Sequence, residues 1–169
     1  MKSPVPLLLV PVVLLFFQVT SCVREPSVPE GGISRDSYLR GLAEAGLLDN
    51  PRVTRWQERA EQAVDRPEPI LPPARVEWDV EEGSEDARVY SLTLDRRTRL
   101  SVDFELQGDG FLILDVLREG SGSTREETIV STNSGSLSFT ARRQERYLLR
   151  LQPEIYAYGV AQMELVTVD

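Results

Sequence analysis

The sequence predicts a mainly β protein, an antiparallel β-sandwich that is preceded by a short αα-hairpin. Three observations lead to this fold class. Between residues 74 and 169 apolar and polar side chains alternate with a period of two, as they do in strands with one buried and one solvated face. Turn residues recur roughly every ten positions, which is typical of jelly-roll and immunoglobulin-like sandwiches. Between residues 34 and 65 the apolar spacing is instead three and four, which indicates amphipathic helices.

The first element, residues 1–21, has the pattern of a secretory signal peptide. Lys2 precedes an uncharged run from Val5 to Phe17, which is shorter than the roughly 20 residues of a membrane-spanning helix. The run ends in Val19-Thr20-Ser21-Cys22 and resembles the lipobox of bacterial lipoproteins. We therefore expect Cys22, the only cysteine, to carry a lipid anchor. A cleaved, soluble exported protein and an uncleaved anchor are the alternatives.

The lipobox implies an exported protein that is anchored in the bacterial cell envelope, since buried acyl chains contribute about 0.8 kcal/mol per methylene. Val23 follows the cysteine where retained inner-membrane lipoproteins have Asp, which favours the outer membrane, facing the periplasm. Residues 22–33 are rich in Pro, Gly and charge without apolar periodicity. They predict a flexible tether.

Residues 34–65 predict the helical hairpin. Ser34 can cap the first helix, and Asn50 followed by Pro51 can begin the second. Two such short helices cannot bury a core of their own, so we expect them to pack on the next domain or on a partner. Residues 66–73 contain four prolines and predict a stiff linker. The two apolar stripes are Tyr38, Leu39, Leu42 and Ala45, then Val53, Trp56, Ala60, Ala63 and Val64.

Residues 74–169 predict a β-sandwich domain of seven or eight strands. The run from Phe111 to Leu117 is apolar on both faces apart from Asp115, so we place it centrally in a sheet. Gly108-Asp109-Gly110 predicts a hairpin turn, and further turns are expected at Gly120–Gly122 and near Ser134-Gly135. The predicted inward residues are Tyr90, Leu92, Leu94, Leu100, Val102, Phe104, Leu106, Tyr147, Leu149, Leu151, Ala161, Met163, Leu165 and Thr167.

Composition excludes several function classes. The chain has 169 residues, 27 acidic and 19 basic, for a net charge of -8, and it contains no histidine. Triads and dyads that need histidine, and zinc sites built on histidine or several cysteines, are therefore excluded. An acidic chain without a basic cluster is a poor nucleic-acid binder. A two-carboxylate glycosidase requires a deep cleft that a small sandwich rarely has, so we predict no enzyme, no cofactor and no nucleic-acid partner.

Two groups of residues are candidates for binding. An acidic stretch contains four weak calcium candidates, Asp79, Glu81, Glu82 and Asp86, because calcium prefers oxygen ligands. Their spacing matches no EF-hand loop, so the prediction is a solvated loop and no metal site. The second group comprises Trp78, Tyr156 and Tyr158, predicted as exposed rings that could stack on sugars. Packing in the core or in a loop is the alternative for these rings.

The order of parts adds a resemblance. The helix from Ser37 to Leu47 and the Tyr-x-x-Arg-x-Gln-Pro-Glu stretch from Tyr147 to Glu154 resemble the non-catalytic N-terminal region of exported lysostaphin-type zinc endopeptidases. The sandwich resembles pre-peptidase C-terminal domains. The zinc motifs of that family, His-x-x-x-Asp and His-x-His, match no position here. The resemblance therefore implies either a free-standing lipoprotein or the front piece of a split or truncated peptidase.

These observations predict a non-catalytic cell-envelope lipoprotein whose sandwich binds or positions peptidoglycan, an envelope polysaccharide or a partner protein. The first alternative is the accessory or regulatory half of a lysostaphin-type zinc endopeptidase whose catalytic domain lies elsewhere. The second is an assembly lipoprotein that docks proteins through its helical hairpin.

Overall fold

The structure is a computed structural model that describes residues 32–119 and 127–168. The signal segment, Cys22, most of the tether and the predicted turn at Gly120–Gly122 lie outside the described residues. None of the described helices is long and apolar enough to cross a membrane. The elements, in chain order, are α1 (Arg35–Glu44), α2 (Pro51–Val64), β1 (Glu68–Pro69), β2 (Ala74–Val80), β3 (Arg88–Leu94), β4 (Arg99–Asp109), β5 (Leu112–Arg118), β6 (Glu127–Thr132), β7 (Ser136–Thr140), β8 (Glu145–Pro153) and β9 (Tyr158–Val168).

The strands form two sheets that face each other. One sheet has the order β1-β3-β8-β5-β6 and the other β2-β9-β4-β7. All neighbouring strands are antiparallel except β1 and β3. If the short strand β1 is left out and β2 to β9 are renumbered 1 to 8, the two sheets have the strand orders 2-7-4-5 and 1-8-3-6. These orders are those of the double Greek key of a jelly roll. The predicted β-sandwich is confirmed, and of its two predicted types the jelly roll is the one formed.

The core lies between the sheets and consists of the inward residues of the alternating strands. Each buried aliphatic or aromatic side chain of this kind stabilises the fold by about 1.5–3 kcal/mol. The alternation identified the buried face of four strands, except that Leu106 is only partly buried and Thr167, near the end of β9, is exposed. The predicted inward residues that are buried in this core are Tyr90, Leu92, Leu94, Leu100, Val102, Phe104, Tyr147, Leu149, Leu151, Ala161, Met163 and Leu165.

The segment Gly108-Asp109-Gly110 is not a hairpin turn, contrary to the sequence prediction. Strand β4 ends at Asp109 in the four-stranded sheet, whereas β5 lies in the five-stranded sheet. Gly110 has a φ of 91°, and a side chain there would collide with Ala157. Turn residues indicate that the chain reverses, but they do not reveal which sheet the next strand joins. Of the consecutive described strands, only β5 and β6 are neighbours within a sheet.

The Pro-rich segment does more than link two parts of the chain. Glu68 and Pro69 form β1, which lies parallel to β3 at the edge of the five-stranded sheet. Ile70 is buried in the sandwich core, and its backbone N–H donates to the carbonyl of Ser91 at 2.9 Å. Prolines are compatible with an edge strand because one side of such a strand needs no donor. The segment predicted as a linker is thus partly built into the sandwich.

The helical pair packs on the outer face of the five-stranded sheet. Strand β5 lies between β8 and β6, and it has apolar residues on both faces because both are covered. Its residue Ile113 packs with Val53 and Trp56 of α2. Leu117 packs near Ala63 in a second small cluster. The prediction that β5 is central, and that the helices need a neighbouring surface, agrees with this arrangement.

Candidate functional site

The helices are fixed to the sheet by the end of β8, where most of the Tyr-x-x-Arg-x-Gln-Pro-Glu stretch lies. Trp56 is fully buried, and its indole N–H donates to the carbonyl of Pro153 at 2.7 Å. The side-chain amide of Gln152 donates to the carbonyl of Trp56 at 2.6 Å. The backbone N–H of Ile155 donates to the Tyr38 hydroxyl at 3.3 Å. Both helices are therefore held by polar contacts as well as by apolar packing.

A buried group of charges lies beside this junction. The guanidinium of Arg150 donates twice to one oxygen of Asp115, at 2.8 and 2.7 Å. Arg35 approaches the same oxygen at 4.0 Å, stacks 4.2 Å over the ring of Trp56, and donates to the Gln152 side chain. Burial, together with the nearby charge of Arg150, lowers the pKa of Arg35 to about 10. These contacts bind α1 to the sheet, and they present no nucleophile or acid–base pair to solvent.

A cleft of about 570 Å³ opens on the same side of the molecule, where the two sheets separate. One wall is the C-terminal half of α2, another is the end of β2, and the third is the loop that leads into β3. The cleft has the volume of a small-ligand pocket, and its lining combines charged and polar side chains with apolar surface. Its polar and aromatic lining residues are Arg59, Gln62, Asp65, Arg66, Trp78, Asp79, Ser84, Asp86 and Arg88.

Charges of both signs line the cleft. The guanidinium of Arg88 lies 5.3 Å from the centre of the Trp78 ring, a cation–π distance. Arg59 and Asp86 form a solvent-exposed ion pair at 3.8 Å. Arg66 and Asp79 form no ion pair within residues 32–119 and 127–168. A cationic and an anionic group are therefore available to a ligand in the same cleft.

The loop between β2 and β3 is held against α2 by Glu85. Its carboxylate accepts three hydrogen bonds from Arg55, at 2.9 to 3.2 Å, and lies 3.9 Å from Arg52. Hydrogen bonding to Arg55 is the main reason that the pKa of Glu85 is lowered. The backbone carbonyl of the same residue accepts a hydrogen bond from Gln152 at 3.3 Å. These contacts fix one wall of the cleft.

The structure separates the three predicted aromatic binding residues. Trp78 lines the cleft, but it is half-buried against the sandwich core, so the expectation of an exposed ring is wrong for this residue. Its position on the inward face of β2 is the physical reason. Tyr156 and Tyr158 are 62% and 47% exposed and do not line the cleft. Tyr156 instead lies 5.2 Å below the guanidinium of Arg52.

The acidic stretch is not assembled into a ligand group. In the described parts of the chain, no three acidic side chains come together in a way that could hold a metal ion. The contacts of Glu85 and Asp86 are with arginines of α2. The structure therefore does not bring Asp79, Glu81, Glu82 and Asp86 together as calcium ligands.

Sequence reasoning missed the arginines that shape the site. Arg52, Arg55 and Arg59 recur along α2 at spacings of three and four, which places them on one helical face, and Arg66 follows just after the helix. From that spacing, the sequence could have predicted a row of arginines on α2 that pairs with the acidic loop between β2 and β3. Arg88 offered no comparable signal, because its role depends on the seam between the two sheets.

Comparison with known proteins gives structural likenesses of low similarity. No protein family matches the sequence, and no curated protein matches it. The periplasmic g-type lysozyme inhibitor PliG of Aeromonas hydrophila is 13% identical, with a TM-score of 0.45 over 60% of this chain and 95% of its own. The pre-peptidase C-terminal domain of a Bacillus anthracis collagenase is 12% identical, with a TM-score of 0.48 over 59% and 94%. A de novo designed double-stranded β-helix is 16% identical, with a TM-score of 0.32 over 56% and 99%.

These likenesses concern the β-sandwich. They include one pre-peptidase C-terminal domain, the type of domain that the sandwich was predicted to resemble. At such identities and TM-scores they carry no inference about the ligand or partner of this chain. A lysostaphin-type origin stays a prediction.

Proposed function

We propose that this protein is a non-catalytic binding module of the bacterial cell envelope. In this proposal it is exported, anchored through Cys22 in the outer membrane facing the periplasm, and binds its ligand in the cleft between the sheets. The observation that carries the proposal is the cleft itself, in which Arg66 and Asp79 lack ion-pair partners among the described residues beside the half-buried ring of Trp78. Unpaired charges in a concave site are available to orient a ligand.

Peptidoglycan is the envelope component that this cleft fits best. Its peptides carry carboxylate and amino groups, which complement a lining that has both arginine and aspartate. A neutral polysaccharide would use the aromatic face alone, and Arg88 already covers part of that face. The mixed charge of the cleft therefore favours peptidoglycan or a partner protein over an uncharged envelope polysaccharide.

The accessory-half alternative has less support. The stretch from Tyr147 to Glu154 carries the resemblance to lysostaphin-type peptidases. In the structure, Gln152, Pro153 and Arg150 of this stretch hold the helices on the sheet. Internal packing thus accounts for these residues without a catalytic domain.

Docking of an assembly partner through the helical hairpin is likewise less favoured, because the apolar stripe of α2 is already covered by the sheet.

Co-sedimentation with purified cell-wall sacculi tests the proposal. We expect the full chain to sediment at physiological salt, and the double variant Arg66→Gln/Asp79→Asn to lose at least five-fold in bound fraction. Both residues are exposed, so the variant should keep its melting temperature. The matched control is Tyr156→Ala/Tyr158→Ala, which changes exposed residues outside the cleft and should bind normally. If the unaltered protein stays in the supernatant, or if only the tyrosine variant loses binding, the proposed cleft function is wrong.

A further inference from the structure

One wall of the cleft is the open edge of a sheet. Strand β2 is the outermost strand of the four-stranded sheet, and no described strand pairs with its other side. Its last three residues, Trp78 to Val80, line the cleft. In an antiparallel edge strand, alternate residues direct both their N–H and their C=O away from the sheet. Unpaired backbone donors and acceptors therefore face the cleft along this wall.

A second unpaired strand edge, at the start of β3 in the five-stranded sheet, borders the other side of the cleft. Strand β1 pairs with β3 only at Tyr90 and Ser91, so within residues 32–119 and 127–168 no strand pairs with Arg88 and Val89 on that side. Arg88 and the residues just before it line the cleft as well. The cleft is thus bordered by unpaired backbone from both sheets.

The cleft also protects this edge from uncontrolled pairing. Exposed edges aggregate unless charges, bulges or covering elements prevent it. Here α2 stands over the seam, and Arg59, Arg66 and Asp79 border it. Such an arrangement admits a short segment and excludes a whole second sheet. The three residues of β2 in the cleft correspond to about 10 Å of extended chain, which is the length of a segment of about three residues.

We infer that the cleft binds an extended peptide, which adds to the open edge of β2 as a further strand. Main-chain hydrogen bonds to β2 would give the affinity in this mode. The peptide would carry both acidic and basic side chains, because Arg66 and Arg88 line the cleft together with Asp65 and Asp79. This inference rests on the proposed function and deepens it, since it specifies an extended peptide as the bound part where that proposal names peptidoglycan or a partner protein.

The test is a selection of heptapeptides from a random phage-displayed library on the immobilised full chain. We expect enrichment of peptides with alternating charges, and at least a ten-fold weaker Kd for Arg66→Gln/Asp79→Asn. A synthetic copy of an enriched peptide, N-methylated at alternate residues, is the matched control: it keeps the side chains but cannot pair as a strand on one side. We expect one of the two alternate methylation patterns to abolish binding.

Amide hydrogen exchange gives a readout that only strand addition would produce. Binding should slow exchange at alternate amides within residues 76–80, while the amides of β7, the strand at the opposite edge of the same sheet, stay unchanged. The inference is overturned if no peptide is enriched, or if both N-methylated peptides bind as well as the parent. Sacculus binding without peptide binding would leave the proposed function intact and rule out this inference. Peptide binding without sacculus binding would support this inference and rule out peptidoglycan as the ligand.

Discussion

Asp115 illustrates how a single residue fixes the relation between helices and sheet. Its side chain is 1% exposed, and one oxygen accepts both hydrogen bonds from Arg150, while the other has no hydrogen-bond partner among the residues that the structure describes. A buried carboxylate is tolerated only when a partner compensates its charge. Arg150 therefore acts as the compensating group, and Arg35 brings the start of α1 to the same place.

We predict that Arg150→Met destabilises the protein by about 3–5 kcal/mol, because it leaves the charge of Asp115 buried and uncompensated. The matched control is Arg146→Met, which removes the solvent-exposed pair with Glu119 and should cost no more than about 1 kcal/mol. Urea unfolding followed by circular dichroism measures both values. Equal losses in the two variants would contradict this account of Asp115.

Two tyrosines, the half-buried Tyr38 and the buried Tyr147, make the stability sensitive to alkaline pH. Burial raises the pKa of Tyr38 and of Tyr147 to about 12, whereas a free tyrosine ionises near 10. Because the folded-state pKa is the higher one, the contribution of each hydroxyl is complete below pH 10 and is lost as the pH rises towards 12. We predict that the double variant Tyr38→Phe/Tyr147→Phe loses less stability than the unaltered protein between pH 9 and 12. Urea midpoints across that range decide it, and parallel curves would refute the assignment.

At the scale of elements, the contact between β4 and β9 depends on two glycines. Gly108 and Gly159 lie opposite each other in the register of these strands. A side chain at Gly108 would overlap the carbonyl of Tyr158, and one at Gly159, where φ is 137°, would overlap the carbonyl of Gln107. Glycine is thus needed on both strands where their backbones approach closely.

Substitution of two glycines by alanine should have opposite effects. Gly108→Ala should destabilise the protein by about 1–3 kcal/mol, as overpacked sites do. Gly41→Ala on α1, where nothing lies within 4 Å of the added carbon, should stabilise it by about 0.5–1 kcal/mol. Thermal unfolding of both variants measures the difference. A neutral Gly108→Ala would show that β4 and β9 can separate without cost.

At the scale of the whole molecule, the helices, the Pro-rich segment and the sandwich share contacts. Ile70 of the Pro-rich segment is buried in the main core, and Trp56 of α2 is buried against Ile113 and Ile155. The chain from residue 34 onward should therefore unfold in a single transition, as small cooperative units do. The anchor would then hold one compact body above the membrane surface.

The proposed anchor gives a prediction for the whole protein in its cell. Cys22→Ser should abolish labelling by radioactive palmitate and leave the signal segment uncleaved, because the thiol is the atom that would carry the lipid. The control is Ser21→Ala, which keeps a small residue before the cysteine and should label normally. Labelling and gel mobility in the producing bacterium check both variants. Labelling that persists in Cys22→Ser would rule out this anchor.

The sequence by itself determined the class of the fold and the buried face of its strands. Period-two alternation placed residues such as Leu92, Leu100 and Met163 inward, because a strand directs successive side chains to opposite faces. It also determined where the helices begin. Ser34 accepts a hydrogen bond from the N–H of Ser37, and Asn50 from that of Arg52, because capping depends on neighbours in the chain. These are local properties, which a linear pattern records.

Only the tertiary structure decided which strands are neighbours and where the site lies. The turn at Gly108–Gly110 carries no signal for the sheet that β5 joins, and Asp115 reads in the sequence as an isolated polar exception. The cleft unites α2, the end of β2 and the start of β3, which are brought together by the jelly-roll crossing. Trp78 was a candidate from composition, but its half-buried position beneath Arg88 is a product of long-range packing. Contacts of this kind depend on how two sheets face each other, and no periodicity within one strand encodes that relation.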